Sequence, residues 1–227
     1  HTIATSVYKK LPYDFQKDFA PITTVAVVPN VLVVHPSMPV NNVAELVKYL
    51  KANPGKVNYG SGGNGSAAHL AMEYFKLSTQ TFVVHVPYRG TAPSVTDAVA
   101  GQIQMVFTGA PALVPMVKAG KLRAIAVSSP KRLDLLPDVP TLAESGLPRF
   151  NATSWIGALA PAGTPPRLVE RIAADIQAVL ASPAVSERFS KVGAIPRSTS
   201  PTEFARLIAD DRQRYGQIIR SQNISLE

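Results

Sequence analysis

The sequence predicts an α/β protein of two lobes, and three observations carry that reading. Strand-like and helix-like segments alternate with short links through the middle of the chain, as in right-handed βαβ units with a parallel sheet. Two proline-dense stretches, Pro36-Ser-Met-Pro39 and Ala160-Pro-Ala-Gly-Thr-Pro-Pro166, each follow an apolar run and punctuate the chain. The length, 227 residues with 46% hydrophobic composition, is enough for two lobes. The expected division is residues 1–35 with 152–227 as the first lobe and 36–151 as the second. The chain then enters the middle lobe once and leaves it once. His35, Pro36, Ser154 and Trp155 become hinge candidates beside a ligand-binding cleft.

The elements follow in order. A strand over about Pro21–Val28 and a crossing strand Val31–His35 open the chain. Asn41 or Asn42 caps a helix with Val43, Leu46, Val47 and Leu50 on one face, ending near Asn53-Pro-Gly55. Lys56–Tyr59 reads as a short strand, Gly60–Gly65 as a glycine-rich turn, and Ser66 as the cap of a helix to about Lys76. Thr81–Val86 is a strand rich in β-branched residues. Pro87–Gly90 is a turn, Ala92–Ala100 a helix, and Gln102–Phe107 the next strand. Ala112–Lys118 is a short helix with Gly120 past its end, followed by strand Leu122–Val127. Two helices close the chain. One spans about Pro166–Ala181, with Leu168, Ile172, Ile176, Val179 and Leu180 on its apolar face; the other spans about Thr202–Ser221.

Composition excludes several classes. A chain this apolar is not disordered. The absence of cysteine rules out a disulfide scaffold and a thiolate metal site. No window reaches the roughly 18–20 apolar residues of a membrane span. The formal charge of +8 raises the question of nucleic acid. Basic residues exceed acidic ones by 14 to 8 over residues 1–164 and by 9 to 7 over 165–227, and the longest basic runs are pairs. That diffuse excess suits a field steering small anions better than a nucleic-acid face. The N-terminal residues lack the basic and apolar regions of a signal peptide, as expected of a mature form.

The glycine turn carries the sharpest motif. Gly60-Ser-Gly62-Gly-Asn-Gly65 fits G-x-G-x-x-G between a strand and a helix. A dinucleotide site would need an acid roughly 20 residues on, and none lies between Glu73 and Asp97. The turn still offers Ser61, Gly62, Asn64, Gly65 and Ser66 as donors at a helix N-terminus, where any anion is favoured. The plainer alternative is a structural turn whose serines cap their own backbone. No nucleophile elbow is present. His69 and Glu73, at i and i+4, with His85 fall short of a metal set; His69 is expected to hydrogen-bond near the turn and Glu73 to be solvated.

A second loop at the same sheet edge, Pro87-Tyr-Arg-Gly-Thr91, supplies Tyr88, Arg89, Gly90 and Thr91. Arg89 suits a bidentate carboxylate clamp, or else is a solvated rim charge or an ion pair. A third, Thr108-Gly-Ala-Pro111, adds Thr108. Donors dominate these loops, so the implied ligand is a small organic anion bearing a carboxylate. No general base or nucleophile stands out, no catalytic residue is assigned, and no cofactor or metal is implied. The alternatives are a nucleotide- or ester-processing enzyme on an α/β fold and a carboxylate sensor of a regulatory system.

Several segments resemble one family: Tyr59–Leu70, His85–Gly90, Gly120–Val127, Leu136–Leu147 and Trp155–Pro165. In that order they are similar to the Bug or TctC-type solute-binding receptors of tripartite tricarboxylate transporters. The resemblance spans essentially the whole chain. It implies a periplasmic-binding-protein-like, Venus-flytrap (type II) fold with two α/β lobes and a hinge, located in the bacterial periplasm. It also implies a monomer that binds no nucleic acid and meets membrane transporter subunits transiently. The expected ligands are dicarboxylates, tricarboxylates or aromatic acids, held by the matching loops Ser61–Ser66, Tyr88–Thr91 and Thr108, with Ser154-Trp155 a weaker candidate.

Two departures from the family pattern modify this. Members often carry an acid after the strand that here reads Val106-Phe-Thr108, and its absence disfavours an amine-bearing ligand. Members also carry roughly 70 further residues ahead of this chain's start, which falls near the turn that opens an expected Thr2–Tyr8 helix. The first lobe is therefore expected to be N-terminally truncated, with helices such as Leu168–Leu180 short of a buried partner.

Overall fold

The computed structural model describes residues 12–221; a helix expected over Thr2–Tyr8 lies outside the described residues. The elements in chain order are β1 (Phe19–Val28), β2 (Asn30–Val34), α1 (Val43–Ala52), β3 (Asn58–Ser61), α2 (Ala67–Thr79), β4 (Val84–Pro87), α3 (Thr91–Val99) and β5 (Met105–Gly109). They continue with α4 (Ala110–Lys118), β6 (Arg123–Val127), β7 (Ser154–Pro161), α5 (Pro166–Leu180), α6 (Pro183–Lys191), β8 (Ile195–Pro196) and α7 (Pro201–Ser221). Among the described residues no helix is long and apolar enough to cross a membrane.

The chain forms two compact units, one from its two ends up to Val28 and from Trp155, the other from Pro29–Ser154. The latter holds a five-stranded sheet ordered β4-β3-β5-β2-β6. Strands β4, β3 and β5 are parallel, each reached through a helix, as the alternating pattern predicts. The sheet is nevertheless mixed, because β2 lies antiparallel between β5 and β6. This corrects two expectations, an all-parallel sheet and a crossing strand belonging to the first lobe. β2 enters directly from β1, and although a helix links it to β3 the two run in opposite senses. All five β2 residues are buried. Leu32 and Val34 join the core on one face of the sheet, Val31 and Val33 the core on the other. A strand buried on both sides reads as a continuous apolar run rather than an alternation.

Local signals set the flanking helices. Asn42 caps α1 by accepting the Glu45 N–H at 2.9 Å, and Glu45 reaches back to the Asn41 N–H at 2.7 Å, a reciprocal box. Val43, Leu46 and Leu50 face the core as the spacing predicts. Strand limits differ more: β3 begins two residues late and β4 three, because Lys56, Val57 and Thr81–Val83 make no ladder pairs although Val57 and Val83 are buried.

The other unit has a three-stranded sheet, β7-β1-β8. Helix α5 packs on it through Val169 and Ala173 against Ile22 and Ala160, with Ile172 and Ile176 partly buried. It thus has a partner, yet Leu168 and Val179, expected on its apolar face, are 48% and 59% exposed. Sequence reading missed α6, which buries no residue and so carries no apolar stripe to detect.

Candidate functional site

Strands β3, β4 and β5 end at one sheet edge, and their following loops carry most of the candidate residues. The β3–α2 loop is shaped by glycine at two kinds of position. At Gly60 an added Cβ would run into Ile103 and Ser94, so only glycine lets α3 lie this close to β3. Gly63 and Gly65 take φ of +118° and +70°, the left-handed region that folds the loop back. Ser66 then caps α2 by accepting the His69 N–H at 3.3 Å. The loop is tied to the next one by backbone bonds: the Tyr88 N–H donates to Ser61 O at 3.1 Å and the Gly90 N–H to Gly62 O at 3.3 Å.

The structure therefore brings Ser61, Gly62, Asn64, Gly65 and Ser66 together with Tyr88, Arg89, Gly90 and Thr91. Asn64 and Arg89 are exposed, and Arg89 holds no ion pair among the described residues. Thr108 is buried on β5 in register with Val31, at the same edge. The Tyr88 hydroxyl donates to Asp97 at 2.7 Å; burial first, then the Asp97 bond and charge, push the phenol up to about 12, so it stays a neutral donor. None of the three loops contains an Asp or Glu. Residues that sequence reasoning missed also sit here. Asn30, paired with Gly109, is buried; its N–H donates to Ser128 Oγ at 2.9 Å and its amide to Ala152 O at 2.5 Å. The only signal for it was a polar residue opening an otherwise apolar strand.

Beneath the loop lies a buried polar cluster, and it corrects one expectation. Glu73 is not solvated: it is 4% exposed. Its Oε1 accepts from the Tyr59 hydroxyl at 2.6 Å and from Lys76 Nζ at 2.6 Å, and lies 3.8 Å from His69 Nε2. His69 hydrogen-bonds to the turn as expected, its Nδ1 accepting the Gly65 N–H at 3.0 Å. The His69 and His85 rings stack at 4.0 Å, 8° from parallel, and Tyr59 stacks on His85 at 4.8 Å. His85 Nε2 lies 2.6 Å from Ser61 Oγ, which also bridges the N–H and C=O of Gly63 at 3.1 Å each. Burial holds His69 below its ordinary value and His85 down at about 3, reinforced for His85 by the neighbouring His69 and Lys76 charges. Burial and then the Glu73 charge push the Tyr59 phenol up. Among the described residues no group of three or more His, Cys, Asp or Glu is arranged to hold a metal ion.

The hinge candidates separate. His35 and Pro36 lie at the far end of β2 from this edge, inside the Pro29–Ser154 unit. There the His35 N–H donates to Gln104 O at 2.9 Å. They are not at a crossing, because β2 is a full member of that unit's sheet. Ser154 and Trp155 do flank a crossing. The Trp155 indole is committed to packing: its Nε1–H donates to Asp211 at 2.5 Å and its ring meets Phe204 edge-on at 5.1 Å.

Known proteins match this chain throughout. The model of the tripartite tricarboxylate transporter family receptor (TctC) matches residues 1–224. BugT of Bordetella pertussis is 34% identical over 99% of this chain and 69% of its own length. The UPF0065 protein of the tcbD-tcbE intergenic region in Pseudomonas sp. strain P51 is 36% identical over 93% of this chain and 63% of its own. The chain thus spans about two thirds of the length of these relatives. Among solved structures, Rpa4515 of R. palustris with adipate superposes with a TM-score of 0.89 at 34% identity, covering 97% of this chain and 74% of that one. MatC of Rhodopseudomonas palustris with bound malate gives 0.85 at 27%, covering 96% and 75%. The periplasmic binding protein BugD gives 0.88 at 30%, covering 98% and 75%. The fold class is that of these periplasmic-binding-protein-type α/β proteins, and the family is one of receptors, not enzymes. The chain belongs to the tripartite tricarboxylate transporter receptor family, TctC or Bug.

Proposed function

We propose that this chain acts in a periplasmic solute-binding receptor that captures a small carboxylate and delivers it to the membrane subunits of a tripartite tricarboxylate transporter. One observation carries the reading. Three adjacent loops at one sheet edge carry the Thr91 and Thr108 hydroxyls, the exposed Asn64 amide and the Arg89 guanidinium, which holds no ion pair among the described residues, and contain no Asp or Glu to compete for them. Such an edge favours an anion through hydroxyl and amide donors, the N-terminus of α2 and a bidentate clamp. Adipate and malate in the two relatives' structures support a dicarboxylate. Ser61, Gly62, Asn64, Gly65, Ser66, Tyr88, Arg89, Gly90, Thr91 and Thr108 are the proposed contacts. The hinge role rests with Ser154 and Trp155, where the chain passes between its units.

Isothermal titration of the full-length protein against adipate, malate, citrate and benzoate tests this. Saturable one-to-one binding of at least one acid is expected. Failure of all four, with nucleotides or esters bound or turned over instead, would overturn it.

A further inference from the structure

In the polar cluster under the glycine loop, each member is bonded to or stacked on the next. Gly65 N–H can only donate, so the His69 Nδ1 that receives it carries a lone pair, and the His69 proton sits on Nε2, facing Glu73. Glu73 is held in turn by Tyr59 from β3 and Lys76 from its own helix. The second imidazole, on β4, lies flat against the first and grips the Ser61 hydroxyl, which bridges both backbone groups of Gly63. Two loop residues with positive φ, Gly63 and Gly65, are thereby tethered to the protein interior through side chains rather than through secondary structure. A loop rich in glycine has high conformational freedom, and an anion site built on it binds well only if that freedom is removed beforehand.

We infer that the stacked His69–His85 pair, backed by Glu73, is the positioning device of the anion loop: His69 fixes the Gly65 N–H and His85 fixes Gly63 through Ser61. The inference rests on the carboxylate-receptor reading. Neither imidazole is proposed to touch the ligand. Both act through the backbone of the loop. The pair works only while neutral, because a proton on His69 Nδ1 would set two donors against each other at Gly65. The charged or titratable groups around the pair are Tyr59, Glu73 and Lys76.

The test compares His69→Leu and His85→Leu with His69→Asn and His85→Gln in the full-length protein. The polar variants keep an acceptor near Nδ1 and a hydrogen-bonding group near Nε2, respectively. With whichever of adipate or malate the unchanged protein binds, the leucine variants are expected to lose about tenfold or more in affinity, the worth of one aligned hydrogen bond, and the polar ones to recover most of it. Amide hydrogen exchange at Gly63 and Gly65, measured without ligand, is expected to quicken at least about tenfold in the leucine variants and to be restored in the polar ones. Nitrogen-15 shifts are expected to report His69 with its proton on Nε2. Unchanged affinity and unchanged loop exchange in folded leucine variants would overturn the inference. If a leucine variant fails to fold, the polar variants decide: exchange at Gly65 in His69→Asn as fast as in an untethered glycine loop also overturns it. Should the unchanged protein bind neither acid, the receptor reading is what fails, and the exchange and nitrogen-15 arms still judge the positioning role.

Discussion

Two buried carboxylates in this chain are held by the same arrangement and differ in what the arrangement serves. On α2, Glu73 accepts from the aromatic Tyr59 of a strand and from Lys76 three residues on. On α7, Asp211 accepts from the aromatic Trp155 of a strand and from Arg214 three residues on. In both, one helix turn supplies the cation and the sheet supplies a neutral donor. The difference is in what lies beyond. Asp211 pins Trp155 against Phe204 as a packing device. Glu73 faces a stacked imidazole pair that reaches the glycine loop. Exposure differs as well: the Lys76 side chain is 12% exposed and the Arg214 side chain 32%. The same polar unit can therefore lock a core or carry rigidity to a site, depending on whether its last member ends in apolar contacts or in a loop.

The largest expected effect breaks the first of these units. Glu73→Gln strands the ammonium of Lys76 in a nearly closed site, and breaking a buried pair in this way costs about 3–5 kcal/mol. Asp211→Asn removes the charge beside a cation whose side chain is 32% exposed and so stays partly hydrated, and the expected cost is smaller, about 1–2 kcal/mol. Urea unfolding of both variants measures the two losses. Combining Glu73→Gln with Lys76→Met should recover most of the larger one. Equal losses for the two carboxylates would show that exposure of the cation does not decide the outcome.

Acid sharpens the same contrast, because among the described residues only the Glu73 unit adjoins histidines. His85 is held down at about 3, chiefly by burial, and His69 is also held below its ordinary 6.5. Between those values the unfolded chain takes up protons that the folded chain refuses. Stability is therefore fully present above pH 6.5 and falls as the pH drops from 6.5 towards about 3. Most of the upper half of that window lies above the range in which ordinary carboxylates titrate. Thermal unfolding midpoints should decline there in the unchanged protein, and the decline should flatten in His69→Asn/His85→Gln. An unchanged slope in that double variant would remove the histidines from the account.

How much of this was legible in the sequence depended on the range of the signal. The glycine turn, the Ser66 cap and the Arg89 loop are local patterns, and each lies where its neighbours in sequence put it. The direction of β2 was not legible, since an apolar run such as Val31–Val34 looks the same parallel or antiparallel. Nor was the burial of Glu73. At i and i+4 from His69, a buried carboxylate and a solvated one share one spacing, and what buries this one is Tyr59, a donor 14 residues away on another element. The stack of His69 on His85 was hidden for the same reason, as it depends on β4 lying beside β3.

The smallest effect on stability, and the most telling one for binding, belongs to Arg89. Its side chain is exposed and without an ion pair among the described residues, so Arg89→Ala should change unfolding free energy by less than about 0.5 kcal/mol. If it clamps a carboxylate from its place beside the tethered loop, the same substitution should weaken binding of adipate or malate about tenfold, or ~1.4 kcal/mol. Arg89→Lys should recover only part of that, because an ammonium keeps the charge and loses the bidentate fork. Titration calorimetry of the three proteins separates the cases. Full recovery by lysine would mean that Arg89 acts through its field alone, and the fixed geometry of the glycine loop would then be left to supply direction by itself.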